Sequence, residues 1–319
     1  MRTDPDLTFF TAPLEHSVLL ATLRKRHRPF RTVIAGEIQR GVSPDVAAAH
    51  VVTEEEAVVA GLERGLLRKS TSGVQIKRFE SVESDQLLIY TTPDTRITDY
   101  PRVAGYLRKF RSRNTCKEVT QGKHPYWSLH RSRDPNIFRS PKFIGLTTAK
   151  RPEVIFDESD GLFVTDAMYV FCLEAGEDPW TCLGIINSRL FEFLYRVANE
   201  GESRVIPQVK AAKLYGLPYP SAAPHTEFQV HVRRLVELHR QSRQAETQPE
   251  QAMLARAIQA EDDALDDLVY GTYGLSASEI EVVKTSGEVP ESDMTVLYEV
   301  VSEPVPIAAD APDVPDSEE

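Results

Sequence analysis

The sequence predicts an α+β protein in four parts: a helical lead-in over 1–30, a mixed, β-rich region over 31–222, a helical region over 223–284 and an acidic tail over 285–319. Three observations carry this reading. Short β-rich runs and helical segments follow one another without regular alternation, which argues against a doubly wound parallel sheet. Apolar residues recur at helical spacing through the third part. Beyond Lys284 the chain holds ten Asp or Glu, five prolines and no Lys or Arg.

Strand-like runs occur at Gly73–Phe79, Gln86–Tyr90, Lys142–Thr147, Glu153–Phe156 and Ala167–Leu173. Between them, Thr53 and Glu56 form a capping-box pattern that opens a helix over Thr53–Leu67. Asp99-Tyr100-Pro101 starts a second helix, with proline near its first turn, that runs to about Arg111. Asp178-Pro179 starts a third, where Trp180, Leu183, Leu190, Phe193 and Leu194 make a broad apolar face. In the third part, Phe228, Val232, Leu235 and Leu238 lie on one face of a helix over His225–Arg243. Leu254, Ile258, Leu265 and Val269 do the same over Gln251–Tyr270, making a helical hairpin. Gly274 is a helix stop, and Ser276 with Glu279 caps a last short helix to Val283. The tail cannot bury enough apolar surface to offset its ordering entropy, so disorder is expected apart from a short strand around Met294–Val301. There is no internal repeat.

At 319 residues and 41% hydrophobic, the chain can fill a core. Its formal net charge of −11 conceals an asymmetry. Thirteen Lys or Arg and two acidic residues lie between positions 102 and 151, a local net charge of +11 against −22 for the remainder. With Phe110, Tyr126, Trp127 and Phe138 interleaved, this is the footprint of an anionic partner such as nucleic acid. A solvated basic face that balances the acidic helices is the alternative, and composition does not choose between them. Three cysteines without a CxxC pair, Cys116, Cys172 and Cys182, exclude a disulfide scaffold and a four-cysteine zinc site, and point to a reduced, cytoplasmic protein. No signal-length apolar run follows Met1-Arg2-Thr3-Asp4-Pro5 and no stretch approaches 18 apolar residues, so neither a secretion signal nor a membrane span is expected.

Catalytic motifs are absent. The chain has no GxxxxGK[ST] loop, GxGxxG fingerprint, GxSxG elbow or HExxH pair. His225, His231 and His239 share one helix but not an i, i+4 face, and read as surface polar groups rather than metal ligands. Lys150 and Glu153 are separated by Arg151 and Pro152, and Asp157–Gly161 reads as a polar turn rather than a nuclease centre. Asp134-Pro135-Asn136 lacks the second proline and the aromatic of an adenine methyltransferase loop. No catalytic, cofactor-binding or metal-binding residue is assigned.

Ordered blocks across residues 30 to 283 nonetheless form a pattern. They are Gly36-Glu37-Ile38-Gln39-Arg40-Gly41-Val42, Gly73-Val74-Gln75-Ile76-Lys77-Arg78-Phe79, Leu87-Leu88-Ile89-Tyr90, and Tyr100-Pro101 through Tyr106-Leu107 and Phe110. Next come Trp127-Ser128-Leu129-His130-Arg131-Ser132-Arg133 with Ile137-Phe138, and Pro141-Lys142-Phe143-Ile144. Leu183-Gly184-Ile185-Ile186-Asn187-Ser188-Arg189-Leu190, Leu217-Pro218-Tyr219-Pro220 and Asp267-Leu268-Val269-Tyr270 with Tyr273-Gly274-Leu275 and Glu279-Ile280 complete it. In this order the blocks resemble the TaqI-like C-terminal specificity domain, the target-recognition domain, of N6-adenine DNA methyltransferases in type II and IIG restriction–modification proteins. In that family a methyltransferase domain with cofactor and Pro-Pro-aromatic motifs precedes this region; here the chain starts almost directly at the specificity part, so the family's catalytic residues have no positions to map onto.

The resemblance implies a module that binds double-stranded DNA and recognises its sequence while a methyltransferase or restriction subunit, with S-adenosylmethionine bound there, supplies catalysis. A stand-alone specificity subunit and a fragment of a type IIG enzyme or methyltransferase both fit, as does a protein-interaction module that retains the fold. The candidate DNA contacts are Arg108, Lys109, Arg111, Arg113, Lys123, Trp127, His130, Arg131, Arg133, Lys142, Lys150 and Arg151. Arg133 and Lys142 also suit a structural role, since their blocks lead into strands, and Trp127 also suits a core position.

Overall fold

The computed structural model describes residues 13–80, 84–139, 141–149, 151–199 and 209–286. Lys150 and the tail, with the strand expected at Met294–Val301, lie outside these residues. The strands are β1 (Arg28–Pro29), β2 (Ile34–Arg40), β3 (Val51–Thr53), β4 (Leu67–Thr71), β5 (Gln86–Ile89), β6 (Lys142–Leu146), β7 (Val154–Asp157), β8 (Phe163–Val164), β9 (Met168–Leu173) and β10 (Pro218–Tyr219). The helices are α1 (Leu14–Arg26), α2 (Ala47–His50), α3 (Glu54–Val59), α4 (Pro101–Arg108), α5 (Lys117–Thr120), α6 (Pro179–Ile186), α7 (Arg189–Asn199), α8 (Ala211–Tyr215), α9 (His225–Gln244), α10 (Gln248–Tyr273) and α11 (Ala277–Thr285). The architecture is α+β, as the sequence predicts.

One antiparallel sheet has the order β2-β9-β6-β7. Strand β6 is buried along its whole length, and Phe143 stacks on Phe171 of β9 at 4.9 Å with Phe30 edge-on behind. Lys142 opens this strand inside the protein, not on its surface. Its side chain is 0% exposed, and Nζ donates to Asp157 Oδ2 at 2.6 Å and to the Ser159 carbonyl at 3.2 Å. Asp157 is its register partner on β7, so the cross-strand pair neutralises a charge that burial would otherwise penalise.

The second sheet has the order β3-β5-β4-β8, antiparallel except for the parallel β4–β8 pair. Its core of Val52, Leu66, Leu67 and Ile89 continues into Val103, Leu107 and Phe110 of the α4 segment. The chain passes beside β8 at Gly41 and Val42, which bridges Thr165. A Cβ on Gly41 would lie 2.2 Å from the Val164 carbonyl oxygen, so this close approach requires glycine.

The Thr53–Glu56 capping box forms, but its helix stops at Val59 rather than reaching Leu67. Gly61, at φ +61°, turns the chain away, and Leu67 instead begins β4. The expected strand over Gly73–Phe79 is a 3-10 turn followed by irregular chain. Phe79 takes a left-handed φ of +57° that a strand cannot accommodate; its ring is buried, and Arg78 Nη2 donates to both carboxylate oxygens of Asp262 on α10. The α4 helix ends at Arg108, and the third predicted helix divides into α6 and α7.

Asn187 and Ser188 explain that division. Ser188 Oγ accepts from the Phe191 amide and caps the first turn of α7. Asn187, 3% exposed, uses its whole amide on β7: Oδ1 accepts from Val154 N at 3.0 Å and Nδ2 donates to Val154 O at 2.7 Å. Asp266 of α10 accepts from the Arg189 amide and completes the same helix start from outside.

Helices α9 and α10 form the predicted hairpin, joined by Ala245-Glu246-Thr247 and closed by Leu238, Ala245 and Leu254. Gly184 lies where α6 meets α9: a Cβ there would stand 2.9 Å from Phe228 Cδ1. Gly274 ends α10 at φ +65°, and the Ser276–Glu279 capping box opens α11. The Tyr273 hydroxyl donates to Pro218 O, while its own carbonyl lies 3.3 Å from His27 Nε2. The lead-in helix, the Pro218–Tyr219 ribbon and the helical region therefore share one packed zone.

Candidate nucleic-acid interface

The basic segment is built on the second sheet. Pro101 begins α4, and the Glu63 carboxylate accepts from the Arg102 and Val103 amides at 2.8 and 2.9 Å, fixing the helix start. Burial works against the ionised form, yet those amides hold the Glu63 carboxyl below its ordinary pKa. Val103 and Leu107 face the core, which leaves Arg108 and Lys109 exposed at the helix C-terminus, the end whose dipole favours cations. A 3-10 turn then presents Arg111 and Arg113. Lys109, Arg111 and Arg113 lie over Tyr106, Tyr126 and Phe110, at 5.9, 5.3 and 5.7 Å from the ring centroids.

The Arg111–Tyr126 contact joins the end of α4 to the segment 123–133. Trp127 packs beside Tyr126 against the sheet core, and the His50 ring and Thr91 hydroxyl bond to its carbonyl. Burial lowers the His50 pKa, so that ring stays neutral. Ser43 pairs with Arg131 in an antiparallel bridge that fixes the segment's far end.

These placements divide the sequence-derived candidates. Arg108, Lys109, Arg111, Arg113, Lys123 and Arg131 are exposed and form no ion pair with a described residue. Lys117 and Arg139, counted in the charge but not among the candidates, are exposed alongside them. Other candidates are held inside the fold. Lys142 is the buried partner of Asp157, a correction to its reading as a DNA contact. Arg133, at φ +59°, donates from Nε to Gly41 O. Arg151 is 15% exposed and pairs with Glu192 at 3.0 Å. Trp127 is a partly buried packing residue, with no base-stacking face assigned to it.

His130 has a different environment from the cations around it. Its Nδ1 lies 3.2 Å from Asp45 Oδ1 and 3.4 Å from Cys116 Sγ, and its Nε2 is 3.5 Å from Glu118 Oε2. Asp45, Cys116 and His130 place one potential metal-ligating atom each within 4.8 Å of one another. Sequence spacing does not reveal this group, because Asp45 arrives from a separate segment between the two sheets.

No protein-family model matches the chain, and no curated protein matches it by sequence. Among solved structures, the fold is similar to that of the type IIL restriction-modification enzyme MmeI, solved in complex with DNA. That alignment has a TM-score of 0.54 at 13% identity and covers 80% of this chain and 35% of that one. The type IIG restriction endonuclease BpuSI aligns with a TM-score of 0.44 at 11% identity, over 82% of this chain and 33% of that one. The chain thus spans about a third of the length of these two proteins, and its fold is similar to part of MmeI.

Proposed function

We propose that this chain is a DNA-recognition module of a restriction–modification system, of the kind that specifies the target of an adenine methyltransferase. The observation that carries the reading is the set of exposed cations at Arg108, Lys109, Arg111, Arg113, Lys123 and Arg131, free of described ion-pair partners, on a segment whose Val103, Leu107, Phe110, Tyr126 and Trp127 pack on the core of the second sheet. Exposed guanidinium and ammonium groups neutralise phosphates and set the register of a protein on the duplex. Arginines in such a set also supply the two-pronged donors that read guanine in the major groove. The fold likeness to an enzyme solved with DNA supports the same reading.

In this proposal the chain binds and orients DNA, and a separate methyltransferase or restriction subunit carries S-adenosylmethionine and the reacting groups. The test is a fluorescence-anisotropy titration of a duplex at several salt concentrations. If about six phosphates are contacted, log K should fall against log salt with a slope near −5. A flat salt response removes DNA binding from the reading. Purified chain should transfer no labelled methyl group to DNA; transfer abolished by a point mutation in this chain would overturn the division of labour.

A further inference from the structure

The group formed by Asp45, Cys116 and His130 has the composition and spacing of a metal centre. We propose that these three residues bind a zinc ion that clips the basic segment to the body of the protein. Ligands held tetrahedrally on zinc at about 2.0–2.3 Å stand roughly 3.3–3.6 Å from one another. The Asp45–His130 and Cys116–His130 separations are 3.2 and 3.4 Å. One thiolate, one imidazole and one carboxylate favour zinc over magnesium or calcium, which prefer oxygen ligands alone.

The surroundings orient all three ligands. His130 offers Nδ1 to the site while Nε2 faces the Glu118 carboxylate, the outer pairing that fixes the ring and tautomer of a metal-bound histidine. Asn114, 9% exposed, orients the other two: Nδ2 donates to Asp45 Oδ2 at 3.3 Å and Oδ1 accepts from the Cys116 amide at 3.0 Å. The His124 ring lies 5.8 Å from that of His130, and its Nε2 is buried with no described hydrogen-bond partner. A buried imidazole nitrogen left unbonded is costly.

The location gives such an ion a purpose. Between Arg111 and Arg133 the chain forms 3-10 and single-turn helical segments, other turns and one isolated bridge, so few backbone bonds tie it down. Cys116 and His130 come from that segment, and Asp45 from the chain between β2 and α2. A shared ion closes the loop and anchors it.

The test uses the full chain, freed of metal by chelator dialysis and titrated with cobalt(II), then with zinc(II). One equivalent of cobalt should produce tetrahedral visible bands and a thiolate charge-transfer band, and zinc should displace it. Cys116→Ser should abolish the charge-transfer band, whereas Cys172→Ser should retain it. Zinc should raise the melting temperature of the wild type and leave that of Cys116→Ser unchanged. Absence of one-to-one binding in the wild type, or a charge-transfer band that survives Cys116→Ser, overturns the proposal. The wild-type titration stands whether or not the variant folds, and neither readout involves DNA.

Discussion

Replacing Asn187 tests the joint between the two halves of the α6–α7 corner. In Asn187→Ala the Val154 N–H and C=O lose bonds of 3.0 and 2.7 Å at a site closed to water. An orphaned buried polar group costs about 1–3 kcal/mol, so the pair should cost about 2–5 kcal/mol. For a chain of this size, with an unfolding entropy of about 0.6–0.7 kcal/mol/K, that lowers the melting temperature by roughly 3–8 °C. Asn187→Asp discriminates further. At pH 8 its carboxylate can accept from Val154 N but opposes Val154 O with a second acceptor and brings a buried charge, so it should cost more than alanine. At pH 5 a protonated carboxyl can donate again, and the gap between the two variants should narrow or reverse. Urea denaturation with an unchanged m value reads these differences. A loss below about 1 kcal/mol for Asn187→Ala, or equal losses for both variants at pH 8, would refute the assignment of this amide as the bridge to β7.

Asp266 supplies a pH prediction: burial raises its pKa from 3.8 to about 6, against the opposing effects of the Arg189 amide and the Arg78 charge. The folded state therefore retains a proton that the unfolded chain releases between about pH 4 and 6, and stability falls as pH rises through that window by about 2–3 kcal/mol. Asp266→Asn should flatten that dependence and be the more stable protein at pH 8; an unchanged profile by urea titration refutes the argument. Arg111→Ala with Arg113→Ala should leave the melting temperature within about 2 °C and make the log K–log salt slope less steep by about 2, since both side chains are exposed and each phosphate contact contributes close to one. An unchanged slope places both residues off the DNA path. Removing residues 287–319 deletes ten carboxylates and no cation, and should tighten duplex binding most clearly at low salt. Equal affinities at low salt show that the acidic segment does not compete with phosphate.

Features that depend on near neighbours were legible in the sequence. The Thr53–Glu56 and Ser276–Glu279 boxes, the Gly274 stop and the α9–α10 hairpin each depend on residues within a few turns of one another. Strands β2 and β4 were not, because neither shows clean alternation: β2 is an edge strand with a register break between Ala35 and Gln39, and β4 is held between an antiparallel and a parallel neighbour. The apparent strand at Gly73–Phe79 had the right composition and the wrong backbone, since tertiary packing of Phe79 and the Arg78–Asp262 pair decided the matter. The site divides in the same way. Local charge density marked the exposed arginines, but nothing near Lys142 announced that Asp157 would meet it across a hairpin. The meeting of Asp45 with Cys116 and His130 is likewise a product of the folded chain alone.

The pairing of Arg28 with Tyr219 and of Pro29 with Pro218 has a consequence for biosynthesis. About 190 residues separate the two strands, and at about 5–20 residues per second a ribosome takes roughly 10–40 s to deliver the second after the first. Phe30, Val33 and Ile34, all destined for full burial, have no partners from β9 until residue 173 is made and none from β10 until the end of that interval. Contacts this far apart slow the search for the native arrangement and lengthen the life of sticky intermediates. The nascent chain should therefore be a client of ribosome-associated chaperones until β9 emerges, and pulse-labelled chains arrested before residue 168 should be sensitive to protease from Phe30 onward.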